Sequence, residues 1–147
     1  IDWIDTASEI VREIKYLVKT KGVQVVFIDY LQIMSWKWES RQYEIAKITR
    51  TLKMTAIQLW IVIVCLSQLN RQVDSRYWWD EPKLSDLRDS WSIEQDADVV
   101  LMIERDIDEW SRDLKIYIRK NRNGSCGEFM LNCLPASMQV WNPAKPF

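Results

Sequence analysis

The chain has 147 residues, including 3 Gly, 9 Trp and no His, and its formal net charge is -1. The absence of histidine excludes His-based acid–base catalysis, Ser-His-Asp triads and His-ligated zinc. The three glycines (Gly22, Gly124 and Gly127) fit neither the G-x-x-x-x-G-K-[ST] spacing nor the G-x-G-x-x-G spacing of phosphate-binding loops. The printed sequence therefore has no phosphate cradle of its own. A net charge near zero leaves any nucleic-acid binding to local loops.

The remaining composition predicts one globular domain with a core. Hydrophobic residues make up 48% of the chain and charged residues 28%, as in ordinary folded domains. No apolar stretch is long enough to span a membrane. Cys65, Cys126 and Cys133 form no C-x-x-C pair, so we expect reduced core thiols rather than a disulfide or metal site.

The first half of the chain alternates helical and strand patterns. Thr6 and Glu9 form a capping box, and helical spacing of apolar residues continues to Gly22. The nearly continuous apolar run 23–30 is typical of a strand buried on both faces of a parallel sheet. A loop over 35–40 follows in the sequence.

A second helix and strand complete this alternation. Apolar residues from Ile45 to Leu59 recur at helical spacing, and the run 61–66 predicts another buried strand, which ends in Ser67 and Gln68. The order helix, strand, helix, strand is typical of crossover connections in a parallel sheet.

The second half predicts a long loop followed by an antiparallel hairpin. Residues 70–90 lack apolar periodicity, so we expect an exposed loop there. One helical turn over 92–97 and a strand over 99–103 follow. Leu114, Ile116 and Ile118 alternate with Lys115, Tyr117 and Arg119. After the Asn123–Gly124 turn signal, Phe129, Leu131 and Cys133 alternate again.

Two polar residues follow the two apolar strands. Asp29 ends the first, where a carboxylate is costly unless paired or bound to a metal. Ligands of open α/β sheets bind at the carboxyl ends of strands, and a strand-end Asp can hold Mg²⁺ through water. Gln68 follows the second strand and could donate to a phosphate or orient water. A helix cap for Asp29, or a solvated strand end for either residue, remains the alternative.

Basic residues gather near the second alternating strand. Lys120 and Arg122 end it, in a stretch that also holds Arg112, Lys115 and Arg119. Arginines can clamp phosphates with two parallel hydrogen bonds. A solvated basic face is the usual alternative for such a run.

Five sequence strings together resemble the bacterial replicative DNA helicases of the DnaB type. They are VVFIDYLQ over 25–32, LSQLNR over 66–71, LSDLRDS over 84–90, SIEQDADVV over 92–100 and KNRNG over 120–124. The first string resembles the Walker B segment of that family. Order and spacing fit from about Asp5 to the C-terminus.

The resemblance implies an α/β, RecA-like ATPase core with a mostly parallel sheet flanked by helices, plus a C-terminal antiparallel hairpin. It implies ATP and Mg²⁺ as cofactors, with Asp29 as the Walker B carboxylate near the metal. Gln68 matches the sensor that couples the γ-phosphate to the DNA loops. Arg122 matches an arginine finger and Lys120 its companion, both acting on the neighbouring subunit's nucleotide.

The same resemblance implies how the protein works and with which partners. Arg88, Asp89 and the residue at 91, here Trp91, match a loop that follows the backbone of single-stranded DNA. The complete protein is expected to be an ATP-dependent helicase that forms a homohexameric ring. Primase and a helicase loader are further expected partners, with no membrane. The expected location is the cytoplasm, with a bacterial, phage or plasmid gene.

Two departures from the family pattern qualify these expectations. The Walker A segment and the N-terminal domain have no counterpart, so residues 1–147 resemble the C-terminal portion of the ATPase domain and should be inactive alone. Trp91 stands where the family has glycine, which permits unusual backbone angles and close approach to phosphate. Trp36, Trp38 and Trp60 also stand where small or turn-forming residues are usual. Divergence or engineering, glycine positions recorded as tryptophan, and base stacking by Trp91 all remain open explanations.

Two other functions compete with the helicase hypothesis. A recombinase-type RecA relative would share the core and bind DNA, but the SIEQDAD string and the Lys120-x-Arg122 pair argue against it. A non-catalytic module for ring assembly or DNA binding, lacking the nucleotide site, is the second alternative.

Overall fold

The computed structural model describes residues 6–34, 40–70, 81–87, 90–105 and 112–143. The chain divides into two compact units, each formed by two segments that are separated in the sequence by a short segment of the other unit. The first comprises Ile1–Ser75 and Ser85–Ala97, and the second comprises Arg76–Leu84 and Asp98–Phe147.

The first unit begins with helix α1, Thr6–Lys21. It ends where the sequence predicts, because Gly22 adopts a φ of +66° and its N–H donates to the carbonyl of Val18 at 3.1 Å. This left-handed backbone after the last helical residue is the usual glycine position at a helix C-terminus. The side chain of Thr6, and with it the expected capping box, lies outside the described residues.

The two predicted strands form a parallel pair. Strand β1 is Val25–Ile28, helix α2 is Arg41–Leu59 and strand β2 is Val62–Cys65. The register runs from Val25 opposite Val62 to Ile28 opposite Cys65. Because α2 connects two neighbouring parallel strands, the predicted crossover is confirmed.

The expectation that both faces of these strands are buried is wrong for the described residues. Phe27 is 75% exposed and Val62 is 57% exposed, whereas Ile28 is 8% exposed. In the part of the chain that the structure describes, β1 and β2 form a two-stranded sheet, and α2 packs against β2. The covered face therefore carries Ile28, while the apolar side chains of Phe27 and Val62 remain exposed.

Helix α2 supplies the core of the first unit. Ile45, Ile48 and Leu52 are almost fully buried, at the three- and four-residue spacing that lines one helix face. The helix packs against α1, against β2 and against helix α3, which spans Ser90–Asp96. The sequence thus predicts the buried stripe of α2 correctly, although the helix begins at Arg41, before the first apolar residue of the stripe.

Trp60 occupies the left-handed backbone position at the end of α2. Its φ is +54° and its ψ is +46°, and its side chain is 94% exposed. L-residues with a Cβ disfavour this conformation, which glycine and asparagine adopt readily. The structure therefore confirms that Trp60 stands at a turn position suited to Gly or Asn.

Part of the expected exposed loop is ordered and buried. Residues Leu84–Asp86 form a 3₁₀ turn, and Asp86 and Leu87 are 2% and 6% exposed. Leu87 forms an antiparallel bridge with Leu69, and the N–H of Asn70 donates to the carbonyl of Asp86 at 2.7 Å. This pairing removes 86–87 from solvent, so the expectation is wrong there; residues 71–80 lie outside the described part.

The short helix predicted over 92–97 is α3, and it is fastened to α2. Its last residue, Asp96, accepts a hydrogen bond from the hydroxyl of Thr49 at 2.8 Å. Arg50 lies 3.5 Å from the same carboxylate. Because Thr49 is buried in α2, the pairing fixes the end of α3 on that helix.

The second unit contains a four-stranded antiparallel sheet in the order β3-β4-β5-β6. The strands are Val99–Arg105, Asp113–Asn121, Gly127–Leu134 and Gln139–Trp141. The predicted hairpin is confirmed as β4 and β5, joined through the Asn123–Gly124 turn. The predicted strand over 99–103 joins the same sheet as β3. Strand β6 is not predicted from the sequence, because its three residues are too few to show alternation.

Strand β4 departs from the simple alternation that the sequence suggests. Ile116 and Tyr117 are both buried, at 6% and 2% exposure, although alternation places them on opposite faces. The register with β3 also shifts, since Lys120 lies opposite Val100 while Ile118 lies opposite Leu101. Arg119 is therefore an extra residue in β4, a β-bulge.

The three cysteines are free. Cys65 and Cys133 are half-buried, but Cys126 is exposed, so the expectation of a core thiol is wrong for Cys126. Burial raises the pKa of the Cys65 thiol to about 11. No helix in the described part of the chain has the length and apolar character needed to cross a bilayer.

Candidate functional site

The structure brings Asp29 and Gln68 to the same edge of the parallel sheet. Asp29 directly follows β1, and Gln68 follows β2 by three residues. The ladder continues beyond the strands, because Leu66 N–H donates to Ile28 at 2.9 Å and Leu31 N–H donates to Leu66 at 2.8 Å. Both Asp29 and Gln68 are exposed. This edge is where α/β sheets bind ligands.

Gln32 joins the two segments that leave this edge. Its side-chain Nε2 donates to Ser67 Oγ at 2.9 Å, and its Oε1 accepts from the backbone N–H of Gln68 at 3.1 Å. The side-chain amide of Gln32 therefore donates one hydrogen bond and accepts another, and the second one holds the backbone of Gln68. The sequence alone assigns Gln32 no role, although it lies three residues after Asp29 in the same string.

Arg41, the first residue of α2, holds the turn that contains Gln32. Its guanidinium donates to the carbonyl of Gln32 at 2.6 Å and to the carbonyl of Met34 at 3.0 Å. It also pairs with Glu44, whose carboxylate is buried. Five donors in a planar fork suit arginine to such multiple contacts. The Asp29–Gln32 segment is therefore anchored on the core helix.

The expected DNA-contacting residues are described only in part. Arg88 and Asp89 lie outside the described residues. Trp91 is the second residue of α3 and is 72% exposed. Among the described non-glycine residues, positive φ occurs at Trp60 and Met138, so Trp91 has helical backbone. Residue 91 therefore does not adopt the positive φ that glycine would permit. Compared with glycine, Trp91 adds the bulk of an exposed indole.

Lys120 and Arg122 belong to the second unit, at the end of β4. Arg122 N–H donates to the carbonyl of Asp98 at 2.9 Å, and its Nε lies 3.4 Å from Asp98 Oδ1. Asp98 comes from the SIEQDADVV string, so two matched strings meet in this contact. Lys120 is half-buried and Arg122 is exposed, so the ion pair between Arg122 and Asp98 lies at the protein surface.

The donor set around Asp29 suits a metal that is shared with a nucleotide. The described residues contain no cluster of three or more His, Cys, Asp or Glu side chains that could hold a metal ion. Mg²⁺ commonly uses one or two carboxylates and takes its other ligands from water and phosphate. The exposed carboxylate of Asp29 fits that pattern.

Comparison with known proteins places these features in a helicase context. The chain is 50% identical over 139 residues to a probable plasmid replicative DNA helicase of Chlamydia trachomatis, covering 90% of this chain and 30% of that protein. It is 38% identical over 133 residues to the replicative helicase DnaB of Geobacillus stearothermophilus, covering 84% of this chain and 29% of the relative. The chain thus spans less than a third of the length of these relatives.

Solved structures agree with the sequence comparison. One solved ATPase domain superposes with a TM-score of 0.84 at 34% identity, over 94% of this chain and 51% of that one. A DnaB-like replicative helicase, described with its interactions with primase, superposes with a TM-score of 0.77 at 35% identity, over 88% of this chain and 33% of that one.

These neighbours define the class of the fold, which is that of a RecA-like helicase ATPase domain. The chain belongs to the DnaB-like helicase C-terminal domain family, whose model matches residues 4–142. The resemblance stated from the five sequence strings is therefore confirmed, and so are the RecA-like fold and the use of a nucleotide by the family. The family match favours the helicase over the recombinase alternative.

Proposed function

We propose that this chain acts as the C-terminal portion of a replicative DNA helicase, which hydrolyses ATP to move along single-stranded DNA and unwind duplex DNA. The observation that most supports this proposal is the arrangement of residues at the carboxyl ends of strands β1 and β2. There, Asp29 and Gln68 leave neighbouring strands, and the residue after Gln68 is paired with the segment that leads to Arg88.

Asp29 would hold Mg²⁺, directly or through water, when a nucleotide is bound. The ion would supply positive charge beside the negatively charged phosphates. Gln68 donates to the γ-phosphate or to the attacking water, and Gln32 fixes the backbone of Gln68 for this role. The phosphate-binding loop has no counterpart in the printed sequence, so Asp29 and Gln68 supply one side of the site.

Lys120 and Arg122 act on the nucleotide of a neighbouring subunit in a homohexameric ring. An arginine supplied in trans stabilises the charge that develops on the transferring phosphoryl group. Asp98 supports this role because it holds the Arg122 backbone by one hydrogen bond and the guanidinium by an ion pair. Arg122 is thereby presented from a rigid strand end.

Coupling between nucleotide and DNA runs through a short backbone path. Gln68 is followed by Leu69, which pairs with Leu87, and Leu87 is followed by Arg88. A shift of Gln68 on loss of the γ-phosphate therefore moves the backbone next to Arg88. The segment that contains Arg88, Asp89 and Trp91 follows the DNA strand through contacts to phosphate and sugar rather than base edges, as a sequence-independent motor requires. Primase and a helicase loader are further partners, and the protein works in the bacterial cytoplasm.

The test compares the complete helicase with the isolated chain. The complete protein should hydrolyse ATP, and single-stranded DNA should accelerate it, whereas residues 1–147 alone should show no turnover. Asp29→Asn should lower hydrolysis by about a hundredfold or more, because metal charge is lost at the reacting phosphate. Glu13→Gln, which removes an exposed carboxylate from α1, is the matched control and should leave the rate unchanged. DNA-stimulated turnover by residues 1–147, or full activity of Asp29→Asn, would contradict the proposal.

A further inference from the structure

Arg119 makes three contacts that fasten a distant segment to strand β4. Its Nε donates to the carbonyl of Pro82 at 2.7 Å, and its Nη2 donates to Glu81 at 2.6 Å. Its guanidinium also lies over the ring of Tyr117, 4.5 Å from the centroid. Pro82 is buried although Glu81 is exposed. One side chain therefore anchors the 81–82 backbone to the sheet.

The base of this anchor is rigid. Tyr117 is 2% exposed, and its hydroxyl donates to Glu104 of β3 at 2.6 Å. Burial raises the pKa of Tyr117 well above its ordinary value, and the hydrogen bond to Glu104 raises it further. The phenol is therefore neutral and remains a donor throughout the physiological pH range. The Tyr117 ring is thus held by strand β3, and the Arg119 guanidinium stacks on a ring whose position is fixed.

Arg119 is also the residue at the bulge of β4. Lys120 lies opposite Val100 and Ile118 lies opposite Leu101, which leaves Arg119 as the extra residue. A bulge re-aims the side chains beside it and bends the strand. Arg119 thus sits at the point that sets the direction of the strand end, immediately before Lys120 and three residues before Arg122.

The segment that Arg119 holds leads directly into the DNA-contacting residues. Pro82 is followed by the 3₁₀ turn Leu84–Asp86, then by Leu87, which is bridged to Leu69. Within the second unit, Pro82 is held by the strand of Lys120 and Arg122. Within the first unit, Leu87 is held by the residue after Gln68.

We propose that Arg119 is a positioning residue that links the strand carrying Lys120 and Arg122 to the DNA-contacting segment. This inference rests on the proposed function, because it couples the DNA-contacting segment to two bound nucleotides. The chain's own nucleotide acts through Gln68 and Leu69, and the neighbouring subunit's nucleotide acts through Arg122, the β4 bulge and Arg119. Arg119 itself touches neither nucleotide nor DNA.

The geometry predicts that a positive charge at residue 119 is not sufficient to hold the 81–82 segment. An exposed ion pair contributes little, and Glu81 is 57% exposed at its side chain. The remaining contacts need a planar group that stacks on Tyr117 while donating to the carbonyl of Pro82, which lysine cannot provide. Arg119→Lys should therefore behave like Arg119→Gln. Arg112→Gln and Arg112→Lys are the matched controls, because Arg112 is exposed and directly precedes β4.

The first measurement is amide hydrogen exchange of the 147-residue chain. Both Arg119 variants should accelerate exchange in 83–87 by about fivefold or more, while the Arg112 variants and the wild type should agree. If Arg119→Gln leaves the protection of the 83–87 amides unchanged, the inference is overturned. This outcome does not depend on whether the proposed function is correct. Full protection in Arg119→Lys would also overturn the inference, since that result would reduce the contact to a simple ion pair.

The second measurement is the ratio of DNA-stimulated to basal ATP hydrolysis in the complete helicase. Arg119→Lys should lower this ratio by about fivefold or more and should raise the DNA concentration needed for half-maximal stimulation. The Arg112 variants should match the wild type. An equal fall of basal and stimulated rates in Arg119→Lys would indicate a merely structural role and overturn the inference. A wild-type helicase without DNA-stimulated hydrolysis would instead overturn the proposed function, and the functional half of this inference with it.

Discussion

Leu69 and Leu87 form an isolated antiparallel bridge that joins two of the matched strings. Leu69 directly follows Gln68, the residue proposed to respond to the γ-phosphate, and Leu87 directly precedes Arg88, the residue proposed to contact DNA. The hydrogen bond from Asn70 N–H to the Asp86 carbonyl at 2.7 Å closes the pairing. Because this pairing joins the two segments through their backbones, we expect a displacement of one segment to displace the other.

Gln32 should control the protection of the Gln68 amide. Gln32→Ala leaves the Gln68 N–H and the Ser67 hydroxyl without this partner, so we expect faster exchange at Gln68 and a loss of about 1 kcal/mol in unfolding free energy. Gln32→Glu should restore most of both, because a carboxylate accepts from the Gln68 N–H and the serine hydroxyl can donate to it. Residue-resolved exchange by NMR checks this. Equal exchange rates in wild type and Gln32→Ala would show that Gln32 does not hold Gln68.

The contacts of Gln32 show what sequence patterns do and do not predict. The apolar runs predict β1, α2 and β2, because burial periodicity depends on local spacing. The position of Asp29 and Gln68 follows from the rule for strand ends. The Gln32–Gln68 hydrogen bond joins segments that meet only after β1 and β2 pair, and no local pattern reports such a contact.

The same reason explains the other differences. Phe27 looks like a core residue in the sequence, but burial depends on what covers the sheet. Arg119 reads as part of a solvated basic run, and its partners Glu81 and Pro82 are brought to it by the fold. Trp60 is the opposite case, since its turn position follows from its place between a helix and a strand.

Trp60→Gly should stabilise the chain. The change relieves a left-handed backbone at φ +54°, which costs a residue with a Cβ about 1 kcal/mol, and the lost indole is almost fully exposed. Trp60→Ala is the control, because alanine keeps the Cβ and therefore the backbone cost. Chemical denaturation should give the glycine variant about 1 kcal/mol more stability than the alanine variant. Equal stability of the two variants would show that the backbone at residue 60 is unstrained.

Trp91→Gly in the complete helicase should strengthen binding of single-stranded DNA. The indole adds bulk beside the segment that contains Arg88, so removing it should lower the Kd for an oligonucleotide about fivefold, equivalent to about 1 kcal/mol. Trp91→Ala separates lost bulk from the cost of glycine in a helix and should act in the same direction. Fluorescence anisotropy measures both. Unchanged binding would indicate that the indole is compatible with DNA binding, and weaker binding would indicate that Trp91 contributes to it, as stacking on a base would require; either result contradicts the prediction.

The cysteines should differ in reactivity. Thiolate is the reactive form, and burial raises the pKa of Cys65 to about 11, so Cys65 stays a neutral thiol at ordinary pH. Iodoacetamide at pH about 8 should modify the exposed Cys126 first. Reaction at Cys65 should accelerate only as the pH rises toward 11. Peptide mapping by mass spectrometry distinguishes the sites, and Cys126→Ser should remove the fast phase. Early modification of Cys65 in the folded chain would contradict the burial of its thiol.

The central claim is that Gln68 couples nucleotide hydrolysis to the DNA-contacting segment through Leu69 and Leu87. ATP hydrolysis by the complete helicase, with and without single-stranded DNA, tests it most directly in Gln68→Ala. Gln58→Ala is the matched control, because Gln58 is an exposed residue of α2. We expect Gln68→Ala to lose stimulation by DNA, while Gln58→Ala is stimulated like the wild type. Stimulation of Gln68→Ala to the wild-type extent would contradict the claim.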